Sequence, residues 1–315
     1  MTNETLSRAR ACMLGQLAGD SLGSLVEFQS PETIRQSYPR GPRLLASGGT
    51  FNTLAGQPTD DSEMALLLAR SIVAQGAWQS DAVMQQYRFW LDSRPFDCGN
   101  TIRAALRGNP DQSSQANGAL MRVSPIGIIG AGLPVAVVAS WAEQDAALTH
   151  PNIFCLEINA LYACSIAAAI RDGLSAEDLY QYMQSFADER QLGDSVLDIL
   201  GDARQSPPAD FMHQMGWVRT AFHNAVYQLL HAGNLEEGVV DSVARGGDTD
   251  TNAAIAGALL GAVYGEGAIP AQWRKAILSC RPKQGDPGVH QGRPEVFWPV
   301  DAVELADSLV QLGFE

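Results

Sequence analysis

The stretch TNAAIAGALLGAVYG, residues 251–265, constrains the fold more than any other part of the chain. It carries no charged residue and reads as an apolar helix. Small residues fill it, among them Ala253, Ala254, Ala256, Gly257, Ala258 and Gly261. Each glycine inside a helix costs about 1 kcal/mol against alanine. Close approach between the backbones of buried helices offsets that cost, so the segment predicts a helix packed inside other helices.

The rest of the chain agrees. Residues 7–28 place Met13, Leu14 and Leu17 at helical spacing, and residues 60–76 place Met64, Leu67, Leu68 and Ile72 on one face before Gly76. Segment 80–93 opens on a Ser-Asp pair that reads as a cap, and 154–173 is long, apolar and closed by Gly173. Helices follow over 175–190, 217–233 and 299–313. No stretch alternates with period two. Residues 48–57 read as a loop or a short strand, and 201–214 as a surface loop. No internal repeat or low-complexity linker divides the chain. The expectation is a single compact all-α domain over residues 1–315.

Composition narrows the function. A net charge of −14 with no basic run repels nucleic acid, so no nucleic-acid groove is expected. No apolar run is read as long enough to span a bilayer, so no membrane partner is expected. The first twenty residues lack a signal-peptide core, which predicts a cytoplasmic protein. The five cysteines (12, 98, 155, 164 and 280) are odd in number and lack CxxC spacing, against a disulfide framework and against zinc. An anionic ligand would need the local sign reversed by cations, arginine or helix N-termini.

Two acid clusters carry the chemistry. In PTDDSEMALLL, Thr59, Asp60 and Asp61 stand at a helix start, where Asp60 could cap and Glu63 complete a capping box. In ARGGDTDTNA, residues 244–253, Asp248, Asp250 and Thr251 crowd one turn behind paired glycines. One cap needs one side chain, and unbalanced carboxylates this close raise one another's pKa. A divalent cation removes the problem. Four carboxylates and two hydroxyls, without cysteine or histidine, form a hard-oxygen set for Mg²⁺, Mn²⁺ or Ca²⁺. The spacing from Asp248 excludes an EF-hand, which would need glycine at Ala253 and glutamate at Leu259. No apolar strand precedes Asp248, which argues against a haloacid-dehalogenase-like phosphatase. GIIGAG, 127–132, lacks GxGxxG spacing and is discarded as a dinucleotide fingerprint.

Six motifs in order, GQLAGDSLGSLVEF, PTDDSEMALLLA, FDCGNTIRAAL, NGALMRVSPIGI, THPN and GGDTDTNAAIAGALLGAVYG, resemble the ADP-ribosylglycohydrolases over roughly residues 10–270. The resemblance implies an all-helical fold with two Mg²⁺ or Mn²⁺ ions, and hydrolysis of the bond between ADP-ribose and a modified acceptor. It makes Thr59, Asp60, Asp61, Asp248, Asp250 and Thr251 the metal ligands. Glu27 matches the acid of a mobile loop over the site, and Asp97 and Asn100 match residues beside the scissile bond. Asn117, Gly118 and Ala119 match a diphosphate loop, His150 a ligand contact, and Trp217 a platform for the adenine. It implies Glu27 and Asp97 as the catalytic pair. An ADP-ribosylated protein or small molecule would be the substrate, with an ADP-ribosyltransferase or toxin as counterpart. The last forty-five residues are left to a structural role.

Each position has a plainer reading. Glu27 could be a solvated helix-end acid, Asp97 a cap for a helix starting near Asn100, His150 a loop residue and Trp217 core. The competing function is a non-catalytic ADP-ribose-binding or immunity-type protein that blocks an ADP-ribosylating toxin. All six ligand positions are filled, which favours the enzyme.

Overall fold

The apolar segment does form a helix, Thr249–Tyr264, in the computed structural model, which describes residues 1–315. Its main partner is the N-terminal helix Asn3–Gly23. Their backbones meet along a row of small residues. A Cβ on Gly15 would collide with the Gly257 carbonyl, one on Gly19 with that of Ala253, and one on Gly261 with that of Ala11. Gly23 ends the row against the backbone of Asp250. The packing that requires glycine thus also delivers an acid of the site to the end of the N-terminal helix.

In chain order the helices are α1 (Asn3–Gly23), α2 (Pro31–Ser37), α3 (Asp60–Gln75), α4 (Ser80–Asp92), α5 (Asn100–Leu106), α6 (Ser124–Gly130), α7 (Val135–Ala147) and α8 (Ile153–Asp172). Then follow α9 (Ala176–Glu189), α10 (Asp194–Ala203), α11 (Val218–His231), α12 (Leu235–Ala244), α13 (Thr249–Tyr264), α14 (Ala271–Ser279) and α15 (Ala302–Phe314). Short 3₁₀ turns cover Asn117–Arg122, Glu266–Ala268 and Glu295–Phe297. There is no strand, so the all-α expectation holds. One continuous apolar core runs from Ala9 to Val310, with α1 and α13 at its centre and α3, α8, α11, α12 and α15 around them.

The structure matches the local signals where the deciding atoms lie close in sequence. Gly76 and Gly173 close α3 and α8 in the left-handed conformation, at φ 72° and 67°. The helix expected over 175–190 forms as α9, and its N-cap Ser175 accepts from the Asp178 N–H. All five cysteines are free and buried. Other expectations need correction. The Ser80–Asp81 pair does not cap α4, whose N-cap is Gln79 with no side-chain bond. Residues 48–57 form a loop holding one isolated bridge between Gly48 and Thr53. The 201–214 segment is not wholly surface, because α10 runs to Ala203 and Phe211 is buried. Helix α8 is long and apolar enough to cross a membrane by length and composition, against the expectation that no segment is. It is instead a core helix, 83% buried over its most apolar window.

Candidate active site

The seam between α1 and α13 ends where α3 begins. Asp20, in the last turn of α1, accepts hydrogen bonds from the Thr59 N–H (3.1 Å to each oxygen) and from the Ser62 N–H (3.1 Å). Asp20 therefore caps α3 from another helix, satisfying donors that the helix cannot satisfy itself. Burial holds the Asp20 carboxyl up at about 7, against the lowering pull of its bonds to Ser62 and Thr59.

That arrangement overturns the capping reading of Asp60. Thr59 is the N-cap and makes no side-chain cap bond, and Glu63 turns away to Arg293 and Trp90. Neither Asp60 nor Asp61 is thus used as a cap: Asp60 stands at the cavity wall and Asp61 is buried. The Thr59 hydroxyl donates to Asp61 Oδ2 at 3.0 Å, while Asp61 Oδ1, equally buried, has no partner.

The second cluster arrives on the first turn of α13. Gly246 and Gly247 both adopt positive φ, 77° and 75°, and a Cβ on Gly247 would strike the Phe211 carbonyl. This turn pairs with the loop after α1. The Phe28 N–H donates to the Gly247 carbonyl at 2.8 Å, and the Gly247 N–H to that of Gln29 at 3.1 Å. Glu27 immediately precedes this pairing, its carbonyl accepting from the Thr50 hydroxyl at 3.0 Å, and is followed by Phe28, which is exposed and left-handed at φ 65°. Asp248 sits at the N-cap position but does not cap, and instead accepts from the Asn117 side-chain amide at 2.7 Å. Asp250 Oδ1 accepts from the Thr251 N–H at 2.9 Å.

Glu27, Asp248 and Asp250 bring one oxygen each to within 4.8 Å of one another. Asp60, Asp61 and Asp97 flank them, and the cavity lining contains no lysine or arginine. Burial, then the Asp97 and Asp248 charges, push Glu27 up to about 9. Asp60 is raised well above the carboxylate range by burial, then by Asp97 and Asp61. Burial, then Asp20 and Asp248, raise Asp61, while burial, then Glu27 and Asp61, raise Asp250. Two buried oxygens, Glu27 Oε2 and Asp61 Oδ1, have no partner at all. Hard-oxygen donors, unbalanced charge and orphaned lone pairs fit a divalent cation such as Mg²⁺ or Mn²⁺.

The acids open into a cavity of about 380 Å³, within the range of small-molecule sites. Glu27, Asp60, Asp97, Asn100, Asn117, Gly118, His150, Asp248 and Thr251 all line it. Thr59, Asp61 and Asp250 are buried beneath these, and Ala119 is fully buried behind Gly118. Asp97 does not cap α5, whose N-cap is Gly99. It takes one bond, from the Cys98 N–H at 2.8 Å. Asn117 spends its backbone N–H on the Gly216 carbonyl, so it reaches the cavity by its side chain. His150 is fully buried, and burial, then the nearby Arg122 charge, lower it to about 3. Trp217 lies outside this cavity, in a shallower cleft that adjoins it through Ala116, Met215 and Gly216. Its indole N–H donates to Gln115 at 2.9 Å.

Sequence reasoning assigned no role to Asp20 or Arg293. Asp20 stands inside GQLAGDSLGSLVEF, where an acid in an otherwise uncharged apolar turn is the one signal that marks it. Arg293 had no local signal, since its partner Glu63 lies 230 residues away.

The comparisons with known proteins agree with this geometry. The profile described as ADP-ribosylglycohydrolase matches residues 1–311, so the likeness extends through the segment left outside it by the motifs. The ADP-ribosyl-[dinitrogen reductase] glycohydrolase of Rhodospirillum rubrum is 31% identical, over 84% of this chain and 88% of that protein. The ADP-ribosylarginine hydrolase Tri1 of Pseudomonas putida is 28% identical, over 87% of this chain and 75% of its own. A solved structure described as an ADP-ribosylglycohydrolase-related protein complex superposes with a TM-score of 0.81 at 26% identity, covering 99% of this chain and all of that one. By sequence over nearly its full length and by fold, the chain belongs to the ADP-ribosylglycohydrolase family.

Proposed function

We propose that this enzyme, an ADP-ribosylglycohydrolase that removes ADP-ribose from modified acceptors, is metal-dependent and takes ADP-ribosylarginine as its acceptor class. One observation carries the metal dependence: two buried carboxylate oxygens, on Glu27 and Asp61, face a cluster of acids with no protein cation among the lining residues. Thr59, Asp60, Asp61, Asp248, Asp250 and Thr251 would hold two Mg²⁺ or Mn²⁺ ions. When bound, these ions neutralise the acids and polarise ribose hydroxyls.

The chain's own residues then have separate tasks. Departure of the acceptor leaves positive charge on the ribose ring, and the surrounding carboxylates favour that charge. Asp97, held at Oδ1 by the Cys98 N–H, lies at the cavity wall beside Asp60, where it can hold or pass a proton. Glu27, on the loop tied to Gly247, stands across the same cavity and orients the reacting groups. Gly118 and His150 line the side on which a diphosphate would lie, and the adjoining cleft beside Trp217 is where an adenine would lie. Asp97, which lines the cavity outside the proposed ligand set, keeps a carboxylate there that favours a cationic guanidinium over a neutral hydroxyl acceptor. An ADP-ribosyltransferase acting in the cytoplasm would supply the modified protein.

The test incubates the purified enzyme and Mg²⁺ with arginine-, serine- and nucleotide-linked ADP-ribose and measures released ADP-ribose. Release is expected to be fastest from the arginine conjugate. Glu27→Gln and Asp97→Asn are expected to lower kcat far more than ADP-ribose affinity. Loss of binding in both variants with kcat retained would assign these acids to binding instead.

A further inference from the structure

His150 lies against a fully buried polar network that the acid cluster does not use. Arg122 donates from Nε to Asp145 Oδ2 at 3.0 Å and from Nη2 to the Asp145 carbonyl at 2.8 Å. Tyr87 donates its hydroxyl to Asp145 Oδ1 at 2.9 Å, and the guanidinium lies over the Tyr87 ring, 4.5 Å from its centre. From Nη1, Arg122 reaches both the Gly118 carbonyl at 3.2 Å and Thr149 Oγ1 at 2.8 Å. Thr149 Oγ1 in turn stands 2.8 Å from His150 Nδ1. Arg122, Asp145, Thr149 and His150 are all excluded from solvent.

Proton counting along this chain has one answer. A guanidinium only donates, so its bond to Thr149 uses a lone pair of the hydroxyl. The hydroxyl has one proton of its own, and His150 Nδ1 is the acceptor within reach. If Nδ1 carried the proton instead, the buried Thr149 proton would have no acceptor, at a cost of about 1–3 kcal/mol. Nδ1 therefore accepts, and in a neutral imidazole the proton then resides on Nε2. Nε2 has no protein partner, although its residue lines the cavity. A buried donor left without an acceptor is what a ligand oxygen would complete.

We infer that Thr149, oriented by the buried Arg122–Asp145 pair, is a positioning residue that locks His150 in the Nε2–H tautomer, so that a neutral donor is presented to an oxygen of the substrate. The identity of that oxygen, on the diphosphate or a ribose of ADP-ribose, rests on the functional reading above; the tautomer does not. The same Arg122 side chain holds the Gly118 carbonyl, so one buried cation sets both the donor and the loop beside it. A Cβ on Gly118 would stand 3.1 Å from His150 Cε1, which places the ring edge directly against that loop.

Long-range ¹H–¹⁵N spectra of the ¹⁵N-labelled enzyme test this, with His150 assigned by its absence from the His150→Gln spectrum. The ligand-free wild type is expected to show the Nε2–H form, Thr149→Val a mixture of tautomers, and Thr149→Ser the wild-type form again. ADP-ribose affinity is expected to fall about tenfold in Thr149→Val and to recover in Thr149→Ser. An Nδ1–H ring in the wild type, or an unchanged tautomer in Thr149→Val, would overturn the proposal. The wild-type spectrum decides the tautomer even if the valine variant does not fold. A wild type with the Nε2–H ring that binds no ADP-ribose would instead overturn the functional reading, and the ligand half of the proposal with it.

Discussion

Asp61 and Glu63 stand within one turn of α3, and each is 1% exposed, yet their surroundings are opposite. Both oxygens of Glu63 are covered, by Arg293 Nε and Nη2 at 2.7 Å each and by the Trp90 indole at 2.8 Å. Asp61 has one bond from Thr59 and a bare oxygen, with Asp20 and Asp248 as neighbours that repel it. Burial removes the same hydration from both, and a buried charge is tolerated only when something matches it. For Glu63 the match is built into the chain. For Asp61 and the acids around it the match has to come from outside, and that difference separates a structural acid from a working one.

The comparison breaks most severely at Arg293. Arg293→Met leaves Glu63 buried and uncompensated, and is expected to cost about 3–5 kcal/mol in denaturant unfolding. A Glu63→Leu, Arg293→Met double variant should recover most of that loss. Asp250→Asn acts on the other kind of acid. It is expected to weaken divalent-ion binding by calorimetry and to cut turnover about a hundredfold or more, since even residues that merely support a metal ligand cost 10–100-fold. Stability should hardly move.

Smaller effects sharpen the contrast. In metal-free protein Asp61→Asn keeps an acceptor for the Thr59 hydroxyl and removes an unmatched charge, so its Tm is expected to equal or exceed the wild type's. The same change at Glu63 should lower Tm. The metal-free enzyme should also respond to pH through Glu27, whose carboxyl rises from 4.5 to about 9 in the fold through burial and then the Asp97 and Asp248 charges. The folded state then holds the proton more tightly than the unfolded one. That contribution is fully present below pH 4.5 and is lost as pH climbs through about 9. Melting curves across this window should show a decline that saturating Mg²⁺ diminishes.

The helices were legible because their signals are local: the spacing of Leu67 and Leu68, and the closing glycines Gly76 and Gly173. The acid clusters were legible because Asp60 with Asp61, and Asp248 with Asp250, crowd within three residues. What stayed hidden acts across the chain. Asp60 and Glu63 match a capping box as written, but Asp20 already caps the helix from 39 residues away, and Arg293 draws Glu63 off from 230. Arg122 and Thr149 stand inside two of the motifs, but neither is marked there as a partner of the other, and their link appears only when the turn ending at Arg122 is packed against the end of α7, where Asp145 and Thr149 receive its guanidinium. Local pattern identifies which residues are free to act. Tertiary contact decides which of them are already occupied.

The central claim is that the acids left unmatched inside the protein take their counter-charge from divalent ions, and that the enzyme works only then. The most direct measurement strips the wild type with EDTA, removes the chelator and follows ADP-ribose release from an ADP-ribosylated arginine substrate as Mg²⁺, Mn²⁺, Ca²⁺ or Zn²⁺ is returned. The account predicts negligible release from the stripped enzyme, recovery with Mg²⁺ or Mn²⁺, and inhibition rather than recovery with Ca²⁺. Full release without any metal, or best recovery with Zn²⁺, would contradict it.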